Sequence, residues 1–287
     1  MARKHIPFAL VYDFDGTLAP GNMQERDFIP SIGMTTSAFW AEVKARSVEN
    51  HADNILIYMQ LMLEKAQASH IPVRRSDIES YGSGLKLFSG LSPTGRGDEF
   101  QPGWFERIST YGRNSGIDVQ HYIVSSGLRE MISGTAIGSK FKYIFASGFL
   151  YDHNGVASWP ALAVNYTTKT QYLFRINKGS LEVHDDSIIN RFIPKTERYI
   201  PFKHMVFIGD GDTDIPCFRL VKEQNGHALG VYAPRQPGAK AKREQLLADG
   251  RVHAIAPADY REGQRLDLLV KAILDKVQVD EHLRAIR

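Results

Sequence analysis

The chain has 287 residues, 43% apolar and 23% charged, with a formal net charge of +3 at pH 7. These are the fractions of a folded globular protein with room for one large or two smaller domains, and its scattered Lys and Arg indicate no nucleic-acid surface. Cys217 is the single cysteine, which excludes an intrachain disulfide and a thiolate metal cluster.

The basic start Met1-Ala2-Arg3-Lys4-His5 leads into an apolar run that stops at Asp13. That run is too short for an export segment and has no small-residue cleavage site. No stretch approaches the length of a membrane span, so the expectation is a cytoplasmic, reduced protein with no membrane partner. Phe8 to Tyr12 has the length and β-branched and aromatic content of a buried strand. It ends in Asp13-Phe14-Asp15-Gly16-Thr17, and the period of two along a strand points Asp13 and Asp15 to the same side of its carboxyl end. Two acids on one edge repel, and a hard divalent cation is the simplest relief.

Ala19-Pro20-Gly21-Asn22 reads as a loop, and from there to about Gly112 the texture is helical. Ile55, Leu56, Met59, Met62, Leu63 and Ala66 form an apolar stripe at helical spacing. Ser76-Asp77-Ile78-Glu79 has the form of a capping box. Ser89 to Gly103, rich in Gly, Pro and polar residues, reads as a return linker. The whole is a helical module of about 90 residues inserted after the first strand, a usual size for a small domain.

Strand texture resumes at His121-Tyr122-Ile123-Val124 and runs into Ser125-Ser126-Gly127, with a helix expected over Leu128 to Ile137 and a strand over Tyr143 to Ala146. Asn154-Gly155 between apolar runs signals a hairpin. Lys169 opens a helix that Gly179 ends. His204 to Ile208 is the clearest central strand, and it finishes in Gly209-Asp210-Gly211-Asp212-Thr213-Asp214. Strands near Ala228–Val231 and Val252–Ile255, a helix near Gly238–Ala248 and a last helix carrying Leu266, Val270, Ile273 and Val277 complete the alternation. Strands alternating with helices imply an α/β fold, a doubly wound parallel sheet wrapped on both faces.

The polar residues cluster where strands finish, and in a parallel sheet such ends converge on one crevice. The set contains a nucleophile, an acid/base, an anion-binding hydroxyl, a cation and metal-binding carboxylates, as phosphoryl transfer through an aspartyl intermediate requires. The acidic run does not fit a calcium loop: Ile215 stands where that loop needs glycine and Val221 where it needs glutamate. Cys217 reads as a buried apolar residue.

In these motifs the chain resembles the haloacid dehalogenase-like superfamily. Asp13-Phe14-Asp15-Gly16-Thr17 matches its first motif, Ser125 its second, Lys169 its third, and Gly209 to Asp214 its fourth. The resemblance implies a Rossmann-like core over 1–18 and 112–287 and a helical cap domain over 19–111. It implies a Mg²⁺-dependent phosphomonoesterase acting on a small phosphorylated metabolite, with Asp13 as nucleophile and Asp15 as acid and base. Asp13, Asp15 (through its backbone carbonyl), Asp210 and Asp214 would form the metal site. Ser125 and the backbone amides near Ser126 and Gly127 would hold phosphate oxygens, and Lys169 would balance charge. Lys178 competes for the lysine role, but it sits near a helix end, where a solvated lysine is ordinary. An aspartate at position 15 is the mark of phosphatases and phosphotransferases rather than dehalogenases. Thr213 stands where phosphoserine phosphatase-like members carry asparagine, which weakens a phosphoserine assignment. The alternatives are a phosphotransferase of the same fold and a non-catalytic phosphate- or ligand-binding module.

Overall fold

Alternation along β1 (Ile6–Tyr12) sets the architecture: Phe8, Leu10 and Tyr12 enter one hydrophobic cluster, Ala9 and Val11 another. A strand buried on both faces belongs to a sheet covered by helices on both sides. The computed structural model describes residues 5–286; the basic start at 1–4 lies outside the described residues. β2 (Ile117–Leu128), β3 (Tyr143–Tyr151), β4 (Ala157–Leu162), β5 (Met205–Gly209), β6 (His227–Tyr232) and β7 (Ala254–Pro257) join β1 in one sheet, ordered β4-β3-β2-β1-β5-β6-β7. All neighbours are parallel except β3 and β4, the expected hairpin.

Between β1 and β2 come α1 (Phe28–Ser31), α2 (Thr36–Glu49), α3 (Asn54–Ala68), α4 (Arg75–Ser83) and α5 (Trp104–Asn114). α6 (Arg129–Ser133) follows β2, and α7 (Lys169–Lys178) and α8 (Ser187–Asn190) follow β4. α9 (Ile215–Glu223), α10 (Ala239–Ala248) and α11 (Arg265–Ala285) alternate with the last strands. α7, α9 and α10 cover one face of the sheet, while α5, α6 and α11 cover the other. Phe39, Val43, Tyr58, Met59, Met62 and Ile78 of the inserted helices belong to the same cluster as Phe8 and Leu10. The insert is therefore packed into the sheet's own core. Among the described residues no helix is long and apolar enough to cross a membrane.

Three local expectations change. Ser76 is not a cap: α4 begins at Arg75, the Arg74 N–H donates to Asp77 at 2.9 Å, and the Arg75 N–H donates to the Gly155 carbonyl of the hairpin at 3.0 Å. A tertiary bond replaces the local one. The helix after β2 stops at Ser133, where the Thr135 hydroxyl takes the Ile132 carbonyl at 2.7 Å. In α3 the buried stripe includes Tyr58 and Leu61, and Leu56 faces outward. α9 is not among the expected elements; Pro216 suits its first turn, where no intrahelical N–H bond is needed.

Candidate active site

β1 lies between β2 and β5, and the chain moves outward from it in opposite directions, so a crevice opens at the carboxyl ends of these three central strands. Asp13 follows β1 with its N–H bonded to the Ile208 carbonyl at 3.0 Å. Ser125 ends the regular part of β2; beyond it the register with β3 jumps from Ser125–Ala146 to Leu128–Ser147, which leaves Ser126 and Gly127 as a bulge at the crevice. Asp210 follows β5, Lys169 opens α7 and Asp214 precedes α9. Asp13, Asp15, Ser125, Ser126, Lys169 and Asp210 all line a cavity of about 750 Å³.

Lys169 is the hub. Its ammonium lies 3.1 Å from Asp13 Oδ1 and 2.8 Å from Asp214 Oδ1, with 1% of the residue exposed. The other oxygen of Asp214 accepts the N–H groups of Asp210 and Gly211 at 3.1 and 3.2 Å, so this fully buried carboxylate ties the lysine to the loop after β5. Lys178 is placed elsewhere: its ammonium donates to the carbonyls of Ile189 and Arg191. Asp15 is half-buried, and one of its oxygens accepts the Met23 N–H at 2.9 Å. Gly16 has φ +74°, and a β-carbon there would lie 2.3 Å from Asp210 Oδ2. Only glycine lets the first loop turn this way and pass so close to the second.

Ser125 Oγ accepts the Gly127 N–H at 3.1 Å, which leaves the hydroxyl proton free for a ligand oxygen. The Gly127 amide is thus occupied, in contrast to the expectation that it points at phosphate. Gly127 instead allows close packing, since a β-carbon there would meet Met23 at 2.1 Å.

Burial raises the Asp13 carboxyl to about 6 against the pull of Lys169, with Asp214 adding to the rise. Burial and then the Asp13 charge push Asp15 well above the usual carboxylate range. Burial, Asp214 and Asp13 raise Asp210 to about 7, eased by Arg243. Burial alone would lower the Lys169 ammonium, but Asp13 and Asp214 outweigh it and hold it charged. One oxygen each from Asp13, Asp210 and Asp214 fall within 4.8 Å of one another. Asp13 Oδ1 is buried without an aligned hydrogen bond, although it lies within ion-pair range of Lys169. Crowded carboxylates, with Asp13 and Asp210 raised and an oxygen of Asp13 unsatisfied, are a donor set that suits a small hard cation.

Several contributors carry no motif. Arg243 of α10 donates to Asp210 Oδ2 at 2.9 Å and to the Val231 carbonyl at 3.1 Å. It lies in Lys240-Ala241-Lys242-Arg243, which in sequence looks like a solvated basic face. Tyr58 of α3 donates to the Ser126 carbonyl at 2.8 Å. Asp53 caps α3 and accepts from Asn165 at 2.7 Å, while Asn165 in turn orders the first turn of α7. Asn22 and Glu25, near the first motif, bond to each other at 2.6 Å, and Arg26 pairs with Asp27.

A doubly wound sheet with an acid–lysine crevice at its switch point defines the class: a hydrolase built on the haloacid dehalogenase-like plan. The family model for haloacid dehalogenase-like hydrolases matches residues 10–219, and the chain belongs to that family. An uncharacterised protein of Borreliella burgdorferi is 30% identical over 285 residues, 90% of this chain and 93% of that one. A HAD-family hydrolase from Salmonella enterica serovar Typhi superposes with a TM-score of 0.54 at 15% identity, over 93% of this chain and 72% of that chain. A substrate-bound phosphoserine phosphatase superposes with a TM-score of 0.51 at 14% identity, over 89% and 96%. At such identities the structural likeness speaks for the fold.

Proposed function

We propose that the protein is a Mg²⁺-dependent phosphomonoesterase that works through an aspartyl phosphate on Asp13 and acts on a small phosphorylated metabolite. The observation that carries this reading is the buried Asp13–Lys169–Asp214 chain, with Asp15 two residues on and turned to the same crevice. Asp13 is the nucleophile: one oxygen faces Lys169, and attack at phosphorus in line with the ester oxygen forms the acyl phosphate. Lys169 offsets the charge that this step gathers on the phosphoryl oxygens. Asp15, whose protonated form is favoured by burial and by the Asp13 charge, gives its proton to the departing alkoxide; the resulting carboxylate then takes a proton from the water that cleaves the intermediate. Ser125 donates its hydroxyl to a phosphoryl oxygen, positioned by the Gly127 amide.

Asp13 and Asp210 would hold Mg²⁺, with the Asp15 carbonyl completing the protein ligands. Asp214 would act from behind, since both its oxygens are engaged. When bound, the ion supplies charge neutralisation and a template for the phosphoryl oxygens. Within the inserted residues 19–111, α2 and α3 serve as the cap that walls the leaving-group side, while α5 covers the sheet.

The test is hydrolysis of an aryl phosphate with Mg²⁺, with EDTA, and by Asp13→Asn. The expected outcome is turnover that needs the metal and falls at least about 10⁴-fold in the variant. Metal-independent turnover, or an active Asp13→Asn, would contradict the proposal.

A further inference from the structure

The cavity is larger than a phosphoryl group needs, and its far wall is built by Trp40 and Val43 of α2 and Ile55 of α3. The Trp40 indole is fixed from two sides. Its N–H donates to Glu25 at 2.8 Å, and Glu25 belongs to the turn Met23–Glu25 whose first N–H holds Asp15. Its ring packs edge-on against Tyr58, with centroids 5.8 Å apart, and the Tyr58 hydroxyl holds the Ser126 carbonyl. The indole is thereby braced to both loops that face the reacting groups, and a rigid aromatic wall costs little ordering on binding.

The charged groups beside it do not suit a phosphorylated amino acid. Asp53, the cavity's carboxylate outside the catalytic cluster, is spent: Oδ1 accepts the N–H groups of Ile55 and Leu56, and Oδ2 accepts from Asn165. Among the described residues lining the cavity outside the catalytic cluster, no carboxylate is left for an ammonium group. Lys44, exposed at the mouth, is the one cation there besides Lys169.

Resting on the phosphomonoesterase reading, we propose that the substrate is a phosphomonoester whose leaving alcohol carries a flat, uncharged aromatic ring lying against Trp40, and that Trp40 sets this preference. Asp13→Asn allows binding to be read without turnover. Titration calorimetry of that variant with naphthyl phosphate, adenosine monophosphate and phosphoserine, each with Mg²⁺, is expected to show a ring-bearing ester binding about tenfold or more tighter than phosphoserine. The preference is expected to vanish when Trp40→Ala is added and to survive Trp40→Phe, which keeps a ring and guards against a mere packing loss. Which ring binds more tightly separates a simple aryl alcohol from a nucleoside. Equal binding of the three, tightest binding of phosphoserine, or a preference that persists in Trp40→Ala overturns the inference. Wild-type turnover on the same panel separates the two readings: hydrolysis without ring preference removes the inference and keeps the phosphatase, whereas ring-selective binding with no hydrolysis removes the phosphatase.

Discussion

The floor and the far wall of the cavity are built in different ways. The floor is made at strand ends, where β1, β2 and β5 lie side by side and fixed spacing brings Asp13, Ser125 and Asp210 to one crevice. The wall is made of helix faces: Tyr58 on α3 bonds directly to Ser126 at the floor, and Trp40 on α2 bonds to Glu25, in the turn whose Met23 N–H holds Asp15. In the proposed mechanism strand ends would set the chemistry, because their backbone geometry is shared by the whole sheet. Helix faces would set selection, because their side chains can change while the strand ends stay in place.

That contrast can be broken by experiment. Floor substitutions should change rate for every substrate, and wall substitutions should change the ranking among substrates. Asp15→Asn is expected to lower kcat by about 10²–10⁴-fold on alkyl phosphates. The loss should be smaller on aryl phosphates, whose leaving oxygen needs less protonation; equal losses on both would show that Asp15 is not the proton donor. A smaller effect is expected behind the floor. Arg243→Gln frees the Asp210 carboxylate it now holds at 2.9 Å, and Mn²⁺ or Mg²⁺ affinity by titration calorimetry should fall about 10–100-fold. Unchanged affinity would leave Arg243 a packing residue of α10. The tenfold change of selectivity expected at Trp40 is the smallest of the three and the only one confined to the wall.

The same division governs what could be read from the sequence. Strands, hairpin and acidic turns were legible because each is a local pattern: apolar runs, an Asn-Gly pair, carboxylates two residues apart. Lys169 could be preferred over Lys178 because a helix start after a strand pair lies at the crevice edge, and the two ammonium groups do sit at opposite ends of α7. Arg243 was illegible because a buried arginine in a basic run looks like a solvated one. The Ser76 cap failed because the β3–β4 hairpin supplies the Gly155 carbonyl to Arg75, a partner that local spacing does not reveal. Trp40 and Tyr58 were hidden for a related reason: an aromatic at helical spacing reads as core, and both do pack in the core while turning one side to the cavity.

The central claim, covalent catalysis by Asp13, is tested most directly by acid-quenching the wild-type protein during turnover of a phosphomonoester with Mg²⁺ and mapping the phosphoryl group by mass spectrometry. The expected result is an acid-stable, hydroxylamine-sensitive phosphoryl group on the peptide containing Asp13, absent from Asp13→Asn. A phosphoryl group on any other residue, with Asp13 unmodified, would contradict it.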